Sequence, residues 1–230
     1  MNTILLLPGA LGSSLQFNGL KQELSLVPAK VIALDLPGHG LNPYALNAIT
    51  VPQMAEAILE KLKEFKISTP IHIFGHSLGG YIGLYLCLHH PDKIKRLYTL
   101  GTKWHWSQEI ANRETSFLVP EKMEQKIPTF VNHLRISHSN GWQKVVHGIG
   151  ELMHDLGKNA YLEPENVKTI DHPVRIALGD RDAMVTFEET VNVYKALTQA
   201  QFQVYPNTPH PYEKADVERL AKDIISFFNL

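Results

Sequence analysis

Residues 71–80, Ile-His-Ile-Phe-Gly-His-Ser-Leu-Gly-Gly, join a short apolar run to a turn rich in glycine. The run has the length of a buried strand, and the apolar stretch 78–90 that follows has the length of a helix. A serine at such a sharp turn is pushed out of the backbone, and the crowding favours residues without a Cβ atom two positions before and after it. Gly75 and Gly79 occupy those positions around Ser77. The stretch therefore predicts that Ser77 is an activated nucleophile, the alternative being a turn that only lets a helix approach a strand.

Short apolar runs alternate with longer amphipathic stretches along the chain. This alternation is typical of βαβ units, and runs that are apolar on both faces suit a parallel sheet covered by helices. Met54, Ile58 and Leu62 recur at helical spacing, and a similar pattern predicts a last helix over about 214–228. The predicted strands are 3–7, 31–34, 71–74, 97–100, 174–178 and 201–205. We therefore predict an α/β fold with a mostly parallel, doubly wound sheet.

Residues 102–171 interrupt this alternation, because they contain no convincing strand and have the pattern of helices with polar joints. One apolar stripe at helical spacing runs through the second half of the region. Its members are Trp142, Val145, Val146, Ile149, Leu152, Met153 and Leu156. We predict a single domain over 1–230 with a helical insertion at about 102–171, which caps the sheet, covers the functional site as a lid, or does both.

The bulk composition indicates an ordinary globular protein that acts on a small molecule. Hydrophobic residues make up 44% of the chain, and the formal net charge of −1 offers no footprint for nucleic acid or an anionic membrane. Cys87 is the only cysteine, which excludes an intramolecular disulfide and favours a reducing compartment. The apolar run 4–7 is too short for a signal peptide or a membrane span. We expect a cytoplasmic protein, and nothing in the sequence indicates its oligomeric state.

A serine nucleophile needs a base, and histidine has a pKa in the useful range. In hydrolases with a G-x-S-x-G turn the catalytic groups follow the order serine, acid, histidine. His210 alone follows the acidic segment 179–182, in a polar loop bounded by prolines. Asp180 and Asp182 both follow the fifth predicted strand, and the residues themselves do not separate them. We therefore predict that His210 is the base, rather than a solvated loop histidine, and that one of the two aspartates is the acid.

The order of these elements, the G-H-S-L-G-G turn, the G-D-R-D-A-M-V segment and the late loop histidine together resemble the α/β-hydrolase fold family over the whole chain. Members often carry G-x-x-D-x-x-V/P after the strand that follows the lid, and Gly179, Asp182 and Val185 match this pattern. The resemblance implies that Asp182 is the acid and Asp180 a structural neighbour. It also implies that the usual first hairpin is absent, because the chain starts at what resembles the family's third strand.

Acyl transfer develops a negative oxygen that two backbone N–H groups stabilise in this kind of site. Leu78, which follows the serine, would supply one. The loop 8–12 resembles the family's H-G-x loop and implies Ala10 as the second donor, with Pro8 in place of the usual histidine. A simple glycine-rich turn is the alternative interpretation of this loop.

Three apolar side chains are predicted to line the substrate pocket, namely Leu11, Trp104 and Trp106. For the two tryptophans, which follow the strand ending near Leu100, packing is an equally good interpretation. No metal site is expected, because the histidines of the insertion follow no compact ligand spacing. They are His105, His133, His138, His147 and His154.

The leading hypothesis is a cofactor-free, carboxylesterase-like serine hydrolase that cleaves an ester or related acyl bond of a small molecule through Ser77, His210 and Asp182. Two alternatives remain open. One is a carbon–carbon bond hydrolase or lyase of the same fold, and the other is a non-catalytic ligand-binding member.

Overall fold

The computed structural model describes residues 2–42, 50–139 and 141–230. The described residues contain a six-stranded sheet in the order β2-β1-β3-β4-β5-β6, and every neighbouring pair is parallel. The strands are β1 (Asn2–Leu7), β2 (Ala29–Ala33), β3 (Ile71–His76), β4 (Ile94–Leu100), β5 (Val174–Gly179) and β6 (Ala200–Tyr205). The predicted α/β class with a parallel sheet is confirmed.

Helices pack on both faces of this sheet. The helices of the described residues are α1 (Asn18–Leu24), α2 (Val51–Glu64), α3 (Leu78–His89), α4 (Gln108–Thr115), α5 (Pro120–Lys126), α6 (Pro128–Ser137), α7 (Trp142–Lys158), α8 (Pro164–Val167), α9 (Phe187–Ala196) and α10 (Val217–Phe228). Along β1, Ile4 and Leu6 join the hydrophobic cluster under α1 and α10, whereas Leu5 and Leu7 join the cluster under α2 and α3. Side chains that alternate along each strand therefore build two cores, which is the doubly wound arrangement.

Some predicted boundaries move because local capping decides where an element begins. The last helix begins at Val217, since the Asp216 side chain caps it by accepting a hydrogen bond from the Arg219 N–H at 3.0 Å. The preceding residues Tyr212–Lys214 form a separate 3₁₀ turn. Helix α1 was not predicted, because its seven residues are too few to establish a periodic pattern.

The interval between β4 and β5 holds the helices α4 to α8, and its described residues contain no strand. This matches the predicted helical character of 102–171, in which residue 140 lies outside the described part of the chain. Helix α7 carries the predicted apolar stripe, and most of that stripe belongs to the same cluster as Leu5 and Leu7 of the sheet. Helix α4 packs closely on α7, since a Cβ atom at Gly157 would lie 2.8 Å from Ala111 Cβ. The insertion therefore shares a continuous core with one face of the sheet.

Candidate active site

The turn between β3 and α3 holds Ser77 in a conformation that L-residues rarely adopt, with φ +50° and ψ −116°. A Cβ atom at Gly75 would lie 2.4 Å from the backbone of Gly79, and one at Gly79 would lie 2.2 Å from the carbonyl oxygen of Leu7. Both glycines are thus required by close backbone approach, as the sequence pattern indicates. The Ser77 N–H also donates to the Leu100 carbonyl at 2.9 Å, which ties the turn to the end of β4.

Asp182 and His210 form a direct pair at the carboxyl end of the sheet. His210 Nδ1 lies 2.8 Å from Asp182 Oδ2, and the Asp182 side chain is almost completely buried. The other carboxylate oxygen of Asp182 accepts hydrogen bonds from the N–H groups of Met184 at 2.8 Å and Val185 at 2.9 Å. Burial tends to raise the pKa of Asp182, but His210 and these two N–H groups outweigh it and hold the pKa below its usual value. The carboxylate is therefore ionised and fixes the tautomer of His210.

Asp180 has a different environment. Its Oδ1 accepts a hydrogen bond from the Thr208 N–H at 3.3 Å and lies 3.9 Å from Arg181 Nε. The Thr208 carbonyl in turn approaches β5 so closely that a Cβ atom at Gly179 would lie 2.0 Å from its oxygen. Asp180 thus ties the loop that carries His210 to the end of β5, and of the two aspartates it is Asp182 that contacts His210.

The loop after β1, which carries Ala10, lies beside Ser77, and Leu78 directly follows the serine at the start of α3. A Cβ atom at Gly9 would lie 3.1 Å from Ser77 Cβ, so this loop passes directly beside the serine. Among the described residues, no protein atom accepts a hydrogen bond from the N–H of Ala10 or Leu78. Two free donors beside a strained serine have the chemistry of an oxyanion site, and the assignment of these two residues to that role stays a prediction.

His76 is a buried residue of this site to which the sequence analysis gave no role. Its Nε2 donates a hydrogen bond to the His210 carbonyl at 3.0 Å, and its ring lies 5.3 Å from the His210 ring. Burial, reinforced by the nearby His210, lowers the pKa of His76 to about 3, so the ring is neutral. His76 therefore holds the backbone of His210 in place. Its position next to Ser77 in the motif is the one signal that could have indicated it.

A cavity of about 310 Å³ opens beside Ser77 and His210. Leu11 and Trp106 line it, whereas Trp104 is not among the described residues that do so. Trp104 is buried and stacks on Tyr81, with ring centroids 6.3 Å apart, so its contact is with the wall of the cavity. The insertion contributes six further apolar side chains to the wall, namely Leu118, Phe130, Ile149, Leu152, Met153 and Leu156. Since most of the exposed area of the wall is apolar, the cavity suits a hydrophobic small molecule.

Within residues 2–42, 50–139 and 141–230, no cluster of three or more histidine, cysteine, aspartate or glutamate side chains is arranged to hold a metal ion. In the same part of the chain no helix has the length and apolar character needed to cross a membrane.

Comparison with known proteins links the chain to one fold. A family model described as the alpha/beta hydrolase fold matches residues 2–138. The pimeloyl-(acyl-carrier protein) methyl ester esterase of Neisseria meningitidis is 43% identical over 67 residues, which are 29% of this chain and 24% of that protein. The similar segment thus spans about a quarter of that relative.

Solved structures extend the likeness to the whole chain. An enol-lactonase from Burkholderia xenovorans LB400 has a TM-score of 0.80 at 18% identity and covers 100% of this chain and 92% of its own. A meta-cleavage product hydrolase from Pseudomonas fluorescens IP01 has a TM-score of 0.82, also at 18% identity, and covers 100% and 91%. At this level of identity the two similarities show the fold alone.

Proposed function

Because the chain belongs to the family of proteins with the alpha/beta hydrolase fold, we propose that it is a serine hydrolase that cleaves ester or related acyl bonds. One observation carries the proposal: His210, joined to Asp182 at 2.8 Å, lines the same cavity as the strained Ser77. A nucleophile, a base and a carboxylate that orients the base are the groups that acyl transfer requires.

In the proposed reaction, Ser77 Oγ attacks the carbonyl carbon of the ester while His210 Nε2 takes the hydroxyl proton. The N–H groups of Ala10 and Leu78 stabilise the negative carbonyl oxygen of the tetrahedral intermediate. The bond to the alcohol then breaks, His210 returns the proton to the leaving oxygen, and the acyl group stays on Ser77. Water, deprotonated by His210, attacks this acyl carbon. The bond to Ser77 Oγ then breaks, His210 returns the proton to Ser77, and the carboxylic acid is released. Throughout, Asp182 stabilises the imidazolium form of His210.

The proposed substrate carries a small or medium hydrophobic acyl group. This rests on the size of the cavity, about 310 Å³, and on its apolar wall from the insertion. Ile149, Leu152, Met153 and Leu156 present one face of α7 to the cavity. We propose that the 102–171 insertion acts as a lid over the site in this way.

The proposal is tested with a series of p-nitrophenyl esters of increasing acyl length and a fluorophosphonate probe. The wild-type chain should hydrolyse the esters and take up the probe, and Ser77→Ala should lose nearly all of both while it remains folded. Ser116→Ala is a matched control, because Ser116 is exposed and, within the part of the chain that the structure describes, its hydroxyl bonds only to the Arg113 carbonyl of the preceding helix α4. Full activity in Ser77→Ala would rule out the proposed nucleophile. Turnover of a β-diketone in place of every ester would favour carbon–carbon bond cleavage instead.

A further inference from the structure

His138 belongs to the insertion but bonds to two loops of the sheet. It is 2% exposed and follows the last residue of α6. Its Nδ1 accepts a hydrogen bond from the Gly40 N–H at 2.9 Å, and its Nε2 lies 2.9 Å from the carbonyl oxygen of Leu11. A carbonyl oxygen can only accept, so Nε2 carries the proton and donates it. One neutral tautomer therefore satisfies both bonds.

The charge state of His138 fits this arrangement. Burial, together with the nearby His133, lowers the pKa of His138, and the Leu11 hydrogen bond and Asp35 oppose it without reversing the shift. His39 also lies against this ring, with centroids 5.8 Å apart. The neutral ring can accept from Gly40 and donate to Leu11 at the same time.

The Leu11 carbonyl is mechanically linked to the Ala10 N–H. Leu11 has φ +60°, a value that non-glycine residues adopt only when the surroundings hold them there. The Gly12 N–H, which belongs to the same peptide unit as the Leu11 carbonyl, donates to the Gly9 carbonyl at 3.0 Å. Because peptide units are planar, the Gly9 carbonyl and the Ala10 N–H lie in one rigid plane and point in opposite directions. His138 thus connects through two peptide planes to the Ala10 N–H.

We propose that His138 is a positioning residue that aligns the Ala10 N–H with the developing oxyanion through its bond to the Leu11 carbonyl. This inference rests on the proposed hydrolase function. It also gives the insertion a role beyond lining the cavity, since a side chain of the insertion holds the loop that stabilises the transition state. Such an interaction acts on turnover rather than on substrate binding.

Two substitutions separate the bonds of His138. In His138→Gln, the amide nitrogen can take the place of Nε2 and keep the bond to Leu11. In His138→Asn, the shorter amide oxygen can take the place of Nδ1 and keep only the bond to Gly40. We expect kcat for ester hydrolysis to stay within about threefold of wild type in the glutamine variant. The asparagine variant should lose about tenfold or more, with the 10²–10³ of a fully lost oxyanion donor as the upper limit, and its KM should change little.

Ser139→Ala is the matched control. Ser139 belongs to the same joint of the insertion and bonds to the Gly40 carbonyl through its N–H at 3.2 Å and its hydroxyl at 3.4 Å, but it has no bond to Leu11. Its kcat should equal that of wild type. Thermal unfolding of each variant separates an effect on turnover from loss of the fold.

Hydrogen exchange in the loop 9–12 tests the inference without any turnover. Exchange at Gly12 should be faster in His138→Asn than in wild type, His138→Gln or Ser139→Ala. Equal kcat in wild type and His138→Asn, or unchanged exchange in that variant, would overturn the positioning role. If His138→Asn fails to fold, a tenfold loss of kcat in folded His138→Gln would also overturn the positioning role. Absence of ester hydrolysis in the wild type would instead count against the proposed function, and exchange would still test the loop.

Discussion

Replacing His39 by asparagine should make the free energy of unfolding less sensitive to acid. His39 is 0% exposed, its Nδ1 donates to the Pro37 carbonyl at 3.1 Å, and its Nε2 has no partner within the described residues. Burial is the main cause that lowers the pKa of His39 to about 4, and the nearby His138 adds to it. An asparagine amide can replace Nδ1 as the donor to Pro37 and has no group that titrates in this range.

The magnitude follows from the linkage between protonation and folding. The unfolded His39 binds a proton as the pH falls below 6.5, whereas the folded one does not until the pH approaches 4. Acid therefore favours the unfolded state in this window, and the contribution of His39 to stability is fully present only above pH 6.5. Since each pKa unit is worth about 1.4 kcal/mol, the loss reaches about 3 kcal/mol near pH 4 and about 2 kcal/mol at pH 5.

Urea unfolding, followed by tryptophan fluorescence at pH 8 and pH 5, measures the free energy of unfolding of the wild type and of His39→Asn. The destabilisation caused by His39→Asn should be about 2 kcal/mol smaller at pH 5 than at pH 8. This destabilisation is the difference in free energy of unfolding between the wild type and the variant. The contributions of other buried histidines, such as His72 and His76, therefore cancel. Leu36→Val, in the same turn and without a titrating group, should lower the free energy of unfolding by the same amount at both pH values. A change of less than about 0.5 kcal/mol between the two pH values for His39→Asn would refute the assigned pKa shift of His39.

Four further substitutions test the site and the insertion. Asp182→Asn should lower kcat by about 10⁴, because the amide no longer fixes the tautomer of His210, and Asp180→Asn should cost far less; steady-state hydrolysis of a p-nitrophenyl ester measures both. A larger loss from Asp180→Asn would reverse the two roles. Gly179→Ala should destabilise the fold by about 1–3 kcal/mol in urea and also lower kcat, since the new Cβ would meet the Thr208 carbonyl at 2.0 Å. Unchanged stability would contradict this. Leu152→Ala should cost about 2–5 kcal/mol and shift the preferred ester to longer acyl chains, and an unchanged chain-length profile would mean that α7 does not bound the acyl site.

The sequence predicted most of the sheet because the signal for a buried parallel strand is local. Each predicted run overlaps an observed strand, and errors are confined to the ends, as in β4, which begins at Ile94 rather than at residue 97. Helix α7 was equally accessible, since its apolar stripe repeats over several turns. The short helix α1 was missed, because seven residues do not establish a period.

In the candidate site, too, the local features could be predicted from the sequence, whereas the choice between two residues could not be made from the residues alone. The turn around Ser77 could be recognised from sequence, since Gly75 and Gly79 report a steric requirement of the backbone at that point. Sequence order also selected His210. The residues alone left Asp180 and Asp182 equivalent, and it was the resemblance to the hydrolase family that favoured the second.

Only the tertiary structure decided the contacts that depend on how distant loops meet. In that structure Asp182 contacts His210, and Trp104 lies outside the cavity that Trp106 lines. His138 bonds to Leu11, which is 127 positions away in the chain. Periodicity and backbone sterics depend on residues that are close together in the chain. They can therefore be recognised from the sequence. A hydrogen bond between remote segments depends on placement to within a fraction of an ångström, which packing of the whole chain sets.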